Sequence, residues 1–204
     1  MAKPRKIGIM GGTFDPIHIG HLVTADAVRI EYCLEKVLFI PAGNPPHKQG
    51  SQVTPALHRY IMTTMATYSN PFFYVSAIEM ERPGPSYTID TVRLLHEHYG
   101  GQVKLYFITG ADAIGDLPTW NNIDQLLDLC DFVATTRPGC ADAIDDVIRQ
   151  LGPKGAERIH RLTTPELEIS STDIRDRVKK GRPIKYIVPE SVENYILKEN
   201  LYRD

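Results

Sequence analysis

Several features are missing from the 204-residue chain or scarce in it, and most of these close off a class of protein. It has no apolar run of membrane length and no basic-then-apolar opening of the secretory kind. After MAKPRK, the glycines Gly8, Gly11 and Gly12 interrupt the next apolar stretch. It has no surplus of one charge. A net charge of −2 argues against broad binding to nucleic acid or to a membrane surface, while leaving room for a small anion held by a local basic cluster. It is poor in cysteine: Cys33, Cys130 and Cys140 form no CxxC and are odd in number, which suits inert or buried thiols in a reducing compartment. It has a single tryptophan, Trp120. The chain reads as cytoplasmic.

What is present is an ordinary globular balance, with 42% hydrophobic and 24% charged residues, enough for one substantial core. Short apolar runs alternate with helical spacing. Strands are predicted at Lys6–Met10, Val37–Ile40, Phe73–Ile78, Val103–Ile108, Asp131–Thr135 and Arg158–Leu162. Helices are predicted at Leu22–Cys33, 55–68, Tyr87–Tyr99, Asp124–Leu129, Asp142–Leu151, Asp173–Lys180 and Pro189–Leu201, with Thr54 a cap for the second. Strand–helix alternation implies parallel strands with crossover helices. The expectation is an α/β fold with a doubly wound, Rossmann-like parallel sheet, one domain spanning 1–204 and a small helical C-terminal part, 172–204. Ligands in such sheets sit beyond the carboxyl ends of the strands.

The first strand leads into GGTFDPIHIGH, residues 11–21. The spacing of Gly8, Gly11 and Gly12 fails the GxGxxG dinucleotide pattern, and no GxxxxGK[ST] is present. What remains is a glycine pair followed by a helix starting near His18. The glycines let a ligand approach the backbone, and the helix N-terminus favours an anion. His18 and His21 share a face at i and i+3. Taken alone, the pair is more often part of a capped helix start than a site. A metal is weaker still, because zinc wants three or four ligands and no HExxH or second cluster exists.

Near the other end stands EISSTDIRDRVKKG, residues 168–181. Ser170, Ser171 and Thr172 precede a helix with Asp173 in its first turn and lysines before Gly181. By itself this is a well-capped surface helix. With Arg175 one turn on, the same hydroxyls also make a second anion cradle.

Together, GGTFDPIHIGH and ISSTDIR resemble the (H/T)xGH and ISSTxxR motifs of the nucleotidyltransferase α/β phosphodiesterase superfamily. Class I aminoacyl-tRNA synthetases share the HIGH element but pair it with a KMSKS-type loop and carry further domains. Pantetheine-phosphate adenylyltransferases are shorter and usually have Thr in place of His18. PPHK (45–48), PSYTIDT (85–91), GADA (110–113), Trp120 and TRPG (136–139) resemble bacterial nicotinate-nucleotide adenylyltransferases over nearly the whole chain. That resemblance implies adenylyl transfer from ATP to nicotinate mononucleotide, giving nicotinate adenine dinucleotide and pyrophosphate. It implies Mg²⁺ held mainly through phosphates and water rather than by a protein cage.

The resemblance also implies roles. His18, His21 and Arg175 would contact the reacting ATP phosphates. Gly11, Gly12, Thr13 and Phe14 would shape the nucleotide loop, and Ile169, Ser170, Ser171 and Thr172 would hold the triphosphate from the opposite side. His47 and Lys48 would meet the mononucleotide phosphate and Trp120 would stack on the pyridine ring. Tyr87 and Thr88 would serve the nicotinate carboxylate, with Gly110, Asp112 and Arg137 as further substrate contacts. On local residues alone, His47 and Lys48 read as a solvated loop, Trp120 as core and Asp112 as a helix cap. Competing readings are a nicotinamide mononucleotide or other phosphorylated acceptor, and a sensor that binds nucleotide without chemistry. A homo-oligomer is compatible with any of these.

Overall fold

The computed structural model describes residues 4–45, 53–136, 142–164 and 167–203. Six parallel strands form one sheet in the order β3-β2-β1-β4-β5-β6. They are β1 (Arg5–Gly12), β2 (Lys36–Pro41), β3 (Phe73–Val75), β4 (Val103–Gly110), β5 (Asp131–Thr136) and β6 (Ile159–Thr163). The order reverses between β1 and β4, which leaves a crevice at their carboxyl ends. β1 pairs with β2 through Gly12↔Pro41, so both glycines of the opening motif belong to the strand.

Alternation along the strands explains the two covered faces. Ile7, Ile9, Leu38, Leu105, Phe107 and Phe132 join one core cluster. Val37, Phe39, Tyr106, Ile108 and Val133, the residues between them, join the other. The first face is packed by α3 (Thr88–Tyr99), α5 (Ile123–Leu129) and α6 (Asp142–Gln150). The second is packed by α1 (Ile19–Glu31), α2 (Ala56–Thr67), α8 (Ser171–Lys179) and α9 (Glu190–Lys198).

Three local expectations change. β3 stops at Val75, because past Ser76, whose N–H still donates to the Phe39 carbonyl, the chain turns and Met80 bonds back to Ala77. The segment Gly152–Arg158, GPKGAER, is a short helix, α7, despite two glycines. Pro153 suits its first turn, and a Cβ at Gly155 would lie 2.8 Å from the Ile148 carbonyl oxygen, so close packing on α6 outweighs poor propensity. Thr54 does not cap α2. Its N–H donates to Asp15 Oδ2 at 3.3 Å and its carbonyl accepts from Arg59. The remaining short elements are α4 (Ala111–Ile114) and a 3-10 turn at Leu117–Thr119.

Cys130 is buried, Cys33 is exposed, and Cys140 lies outside the described residues. Among the described residues, no helix is long and apolar enough to cross a membrane.

Candidate active site

A cleft of about 820 Å³ opens at the carboxyl ends of β1, β4 and β5. Gly11, Gly12 and Thr13 form its floor where β1 runs out. His18 caps α1 in an extended conformation, with φ −143° and ψ 171°. Its N–H donates to His21 Nδ1 at 3.2 Å, and the His21 N–H donates to the His18 carbonyl at 3.0 Å. Because His21 Nδ1 accepts, the proton of the neutral ring sits on Nε2. The two imidazoles lie 3.7 Å apart between centroids.

Phe14 holds this pair from behind. It is buried, carries a positive φ of 51°, and meets the His21 ring edge-on at 5.1 Å. A left-handed aromatic residue costs of order 1 kcal/mol and points to a site that needs this turn. Gly20 serves close approach: a Cβ there would lie 3.0 Å from His18 Nδ1. Burial lowers the His18 pKa to about 4. His21 is held well below its ordinary 6.5, first by burial and then by repulsion from His18. Both rings are therefore neutral at pH 7 before an anion arrives. His18 Nδ1 is buried with no hydrogen-bond partner among the described residues.

The two motifs, some 155 residues apart in sequence, meet here. Ser171 Oγ donates to the Pro16 carbonyl at 2.8 Å, and Arg175 Nη1 donates to the Asp15 carbonyl at 2.7 Å. Ser170 caps α8, its Oγ accepting from the Asp173 N–H at 3.1 Å. Ile169, Ser170 and Ser171 line the cleft. Phe14, Thr172 and Arg175 do not border it. Arg175 Nη2 donates to Thr172 Oγ1 at 3.3 Å, so in this arrangement that pair braces the nucleotide loop.

On the opposite wall, Tyr87 and Thr88 start α3, and both border the cleft together with Gly110 and Trp120. Trp120 is partly buried and stands edge-on to Phe107 at 5.5 Å and to Phe132 at 6.1 Å. The backbone of Asp112 lies in α4, directly after β4. His47, Lys48 and Arg137 lie outside the described residues.

Several cleft residues carry no motif in the sequence. Thr109 and Thr135 stand near the ends of β4 and β5 and line the cleft, and they read only as strand residues until the topology places them. Glu79 also lines the cleft, 8% exposed, its Oε1 accepting from Thr91 Oγ1 at 2.6 Å. Burial raises its pKa, against the hydrogen bonds of Thr91 and Ser86. Nothing in IEMERP marks it. Of the four histidines outside these motifs, His58 pairs with Tyr195, His96 with the Leu129 carbonyl and His160 with Asp131, while His98 meets the neighbouring Tyr99 ring edge-on at 4.8 Å.

Known proteins resemble this chain in both sequence and fold. The cytidylyltransferase-like family model matches residues 9–177. A protein of Thermoanaerobacter sp. named "Probable nicotinate-nucleotide adenylyltransferase" is 55% identical, over 100% of this chain and 97% of its own. One of the same name from Moorella thermoacetica is 54% identical, over 100% and 94%. The chain belongs to the nicotinate-nucleotide adenylyltransferase family. Its fold resembles that of the Plasmodium falciparum nicotinic acid mononucleotide adenylyltransferase complexed with NaAD. The TM-score is 0.80 over 97% of each chain, at 23% identity.

Within this family's site, the described residues include no group of three or more His, Cys, Asp or Glu placed to hold a metal ion. At the nucleotide loop the Thr13 carbonyl accepts from Arg59, and the buried Asp15 carboxylate accepts from Tyr202 and the Thr54 N–H, so neither is presented as a free cation ligand. That arrangement fits Mg²⁺ carried in by phosphate oxygens and water, the ion's usual preference in such sites.

Proposed function

We propose that the chain transfers the adenylyl group of ATP to the phosphate of nicotinate mononucleotide. The products are nicotinate adenine dinucleotide and pyrophosphate, a step of NAD biosynthesis. The supporting observation is that the His18/His21 and Ser171/Arg175 motifs close on one cleft in a chain 55% identical, end to end, to a relative carrying that activity's name.

The acceptor phosphate is already anionic, so its oxygen attacks the α-phosphorus without a general base. The bond from the α-phosphorus to the bridging oxygen breaks, and that oxygen leaves with the pyrophosphate. The protein's task is to align two anions and stabilise the charge that develops. His21, with its proton on Nε2, donates to the phosphates, and His18, whose Nδ1 has no partner among the described residues, offers a second polar ring beside it. Gly11, Gly12 and Thr13 let the triphosphate approach the backbone. Ile169 and Ser170–Thr172 close the far side, with Arg175 moving from the Asp15 carbonyl onto phosphate. Mg²⁺, when bound with ATP, neutralises phosphate charge.

For the acceptor, the N-terminus of α3 at Tyr87 and Thr88 receives the carboxylate, Trp120 stacks on the pyridine, and His47 and Lys48 meet its phosphate. Gly110, Asp112 and Arg137 contribute at the rim. The whole chain, 1–204, acts as one nucleotidyltransferase domain whose segment 172–204 completes the ATP side. We place it in the cytoplasm.

The test is pyrophosphate release from ATP with each mononucleotide offered separately. Release with nicotinate mononucleotide supports the reading. Tight ATP binding without release defeats the enzyme, and faster turnover with the nicotinamide form defeats the acceptor assignment.

A further inference from the structure

Behind the cleft lies an arginine that no motif marks. Arg59, on α2, is 1% exposed and the largest fully buried side chain. A buried guanidinium ordinarily sits on a carboxylate. This one spends its donors on three backbone carbonyls from three separate segments. Nε donates to Thr54 at 2.8 Å, Nη1 to Thr13 at 2.7 Å and Nη2 to Gly43 at 3.4 Å. Asp15, itself buried, supplies opposite charge nearby, while its carboxylate accepts from Tyr202 Oη at 2.8 Å and from the Thr54 N–H.

Those three carbonyls are not scattered. Thr13 directly follows β1 at the start of the nucleotide loop and lines the cleft. Gly43 and Thr54 stand on either side of the connection from β2 to α2. Gly43 is pressed against the opposite wall, where a Cβ would lie 2.3 Å from the Glu79 carbonyl oxygen. The next residue, Asn44, bonds Ser86 twice: the Asn44 N–H donates to Ser86 Oγ at 3.1 Å, and the Ser86 N–H donates to the Asn44 carbonyl at 2.9 Å. Ser86 adjoins Tyr87, where α3 begins. One guanidinium thus ties the ATP loop to the strand connection that carries the α3 wall.

We propose that Arg59 is a positioning residue that sets the distance between the two substrates by clamping Thr13, Gly43 and Thr54 together. This rests on the function proposed above. It touches neither substrate and acts through the backbone. Three carbonyls held by one planar, always-charged fork move as a unit, and no lysine can reproduce that geometry.

The experiment compares Arg59→Lys and Arg59→Gln with the native chain, scoring only the fraction that unfolds cooperatively. Arg59→Lys is expected to keep the fold, to lower kcat per folded molecule by about 10-fold to 100-fold, and to raise KM for both substrates. Arg59→Gln should lose more, so that lysine rescues part of the defect. Native kcat and KM values in folded Arg59→Lys, with only a lower Tm, overturn the proposal. So does failure of both variants to fold, which assigns Arg59 to stability alone. A native chain inactive with nicotinate mononucleotide defeats the function instead. Arg59→Lys is then read by its Kd for ATP, which an intact nucleotide loop would leave unchanged and a displaced one would raise.

Discussion

The imidazoles of His18 and His21 lie with centroids 3.7 Å apart and planes tilted by 32°, and the backbone N–H of the first donates to Nδ1 of the second. One histidine therefore fixes the tautomer of the other. His21→Ala should lower kcat by roughly 100-fold to 1000-fold, the usual consequence of losing one donor aimed at developing charge. KM for nicotinate mononucleotide should change little, because the contact proposed for His21 is to the ATP phosphates. Steady-state kinetics with each substrate varied in turn checks this, and an unchanged kcat would return His21 to helix capping.

The same pair couples binding to protons. Both rings are neutral in the free protein at pH 7, His18 titrating near 4. A bound triphosphate favours imidazolium at His18, whose Nδ1 has no partner among the described residues, and raises its value, so the complex holds more protons than the free protein. ATP affinity should rise as pH falls from 7 toward 5. Calorimetry in buffers of different ionisation enthalpy should show proton uptake on binding. Stability without ligand runs the other way. The unfolded histidines protonate near 6.5 while the folded ones resist, so stability falls as pH drops below 6.5; the His18 share, about 1.4 kcal/mol per pH unit, ends near pH 4, and His21 acts in the same direction.

Gly20→Ala sets two effects against each other. Helix propensity gains up to about 1 kcal/mol. The new Cβ, 3.0 Å from His18 Nδ1, pushes the buried ring aside. The expected result is a Tm within a few degrees of native with kcat at least about 10-fold lower, because small misplacements at the reacting centre are costly.

Trp120 is only partly buried against Phe107 and Phe132, so its replacement tests binding more than folding. Trp120→Ala should raise KM for nicotinate mononucleotide by about 10-fold, with Trp120→Phe in between, since an aromatic stacking contact is worth about 0.5–1.5 kcal/mol beyond its buried area. Equal loss of ATP affinity would contradict the stacking role.

At the opposite end of the sheet, Asp131 is 2% exposed and receives Lys104 at 2.6 Å, His160 at 2.9 Å and Arg158 at 3.2 Å. Burial works against its charge, yet the hydrogen bonds from His160, Lys104 and Arg158 outweigh it and hold the carboxyl at about 2. Its stabilisation is complete above the ordinary 3.8 and is lost as pH falls through about 2. Asp131→Asn should cost roughly 1–3 kcal/mol at neutral pH, because its cationic partners remain partly hydrated. Kinetics per folded molecule should stay native, this cluster lying away from the cleft.

Much of the architecture was legible in the chain because alternation and helical spacing are local. Val37–Ile40 and Val103–Ile108 read as buried strands and are β2 and β4. GPKGAER did not read as a helix, because its stability comes from packing on α6 rather than from its residues. The candidate site was legible where a motif marks it, as at His18, His21 and ISSTDIR, which the fold brings to one cleft. It was illegible at Glu79, Thr135 and Arg59, single residues whose meaning depends on what lies across the cleft or behind it.

Sequence alone determined the alternating α/β order, the anion-favouring glycine turn with its two histidines, and a second hydroxyl-rich helix start. These arise from spacing and from propensities that act within a few residues. Only the tertiary structure decided that Ser171 and Arg175 seize the carbonyls of Pro16 and Asp15, that burial keeps both histidines neutral, and that Arg59 joins Thr13 to the β2–α2 connection at Gly43. Desolvation and long-range hydrogen bonds depend on which surfaces meet, and that is settled by the reversal of strand order between β1 and β4.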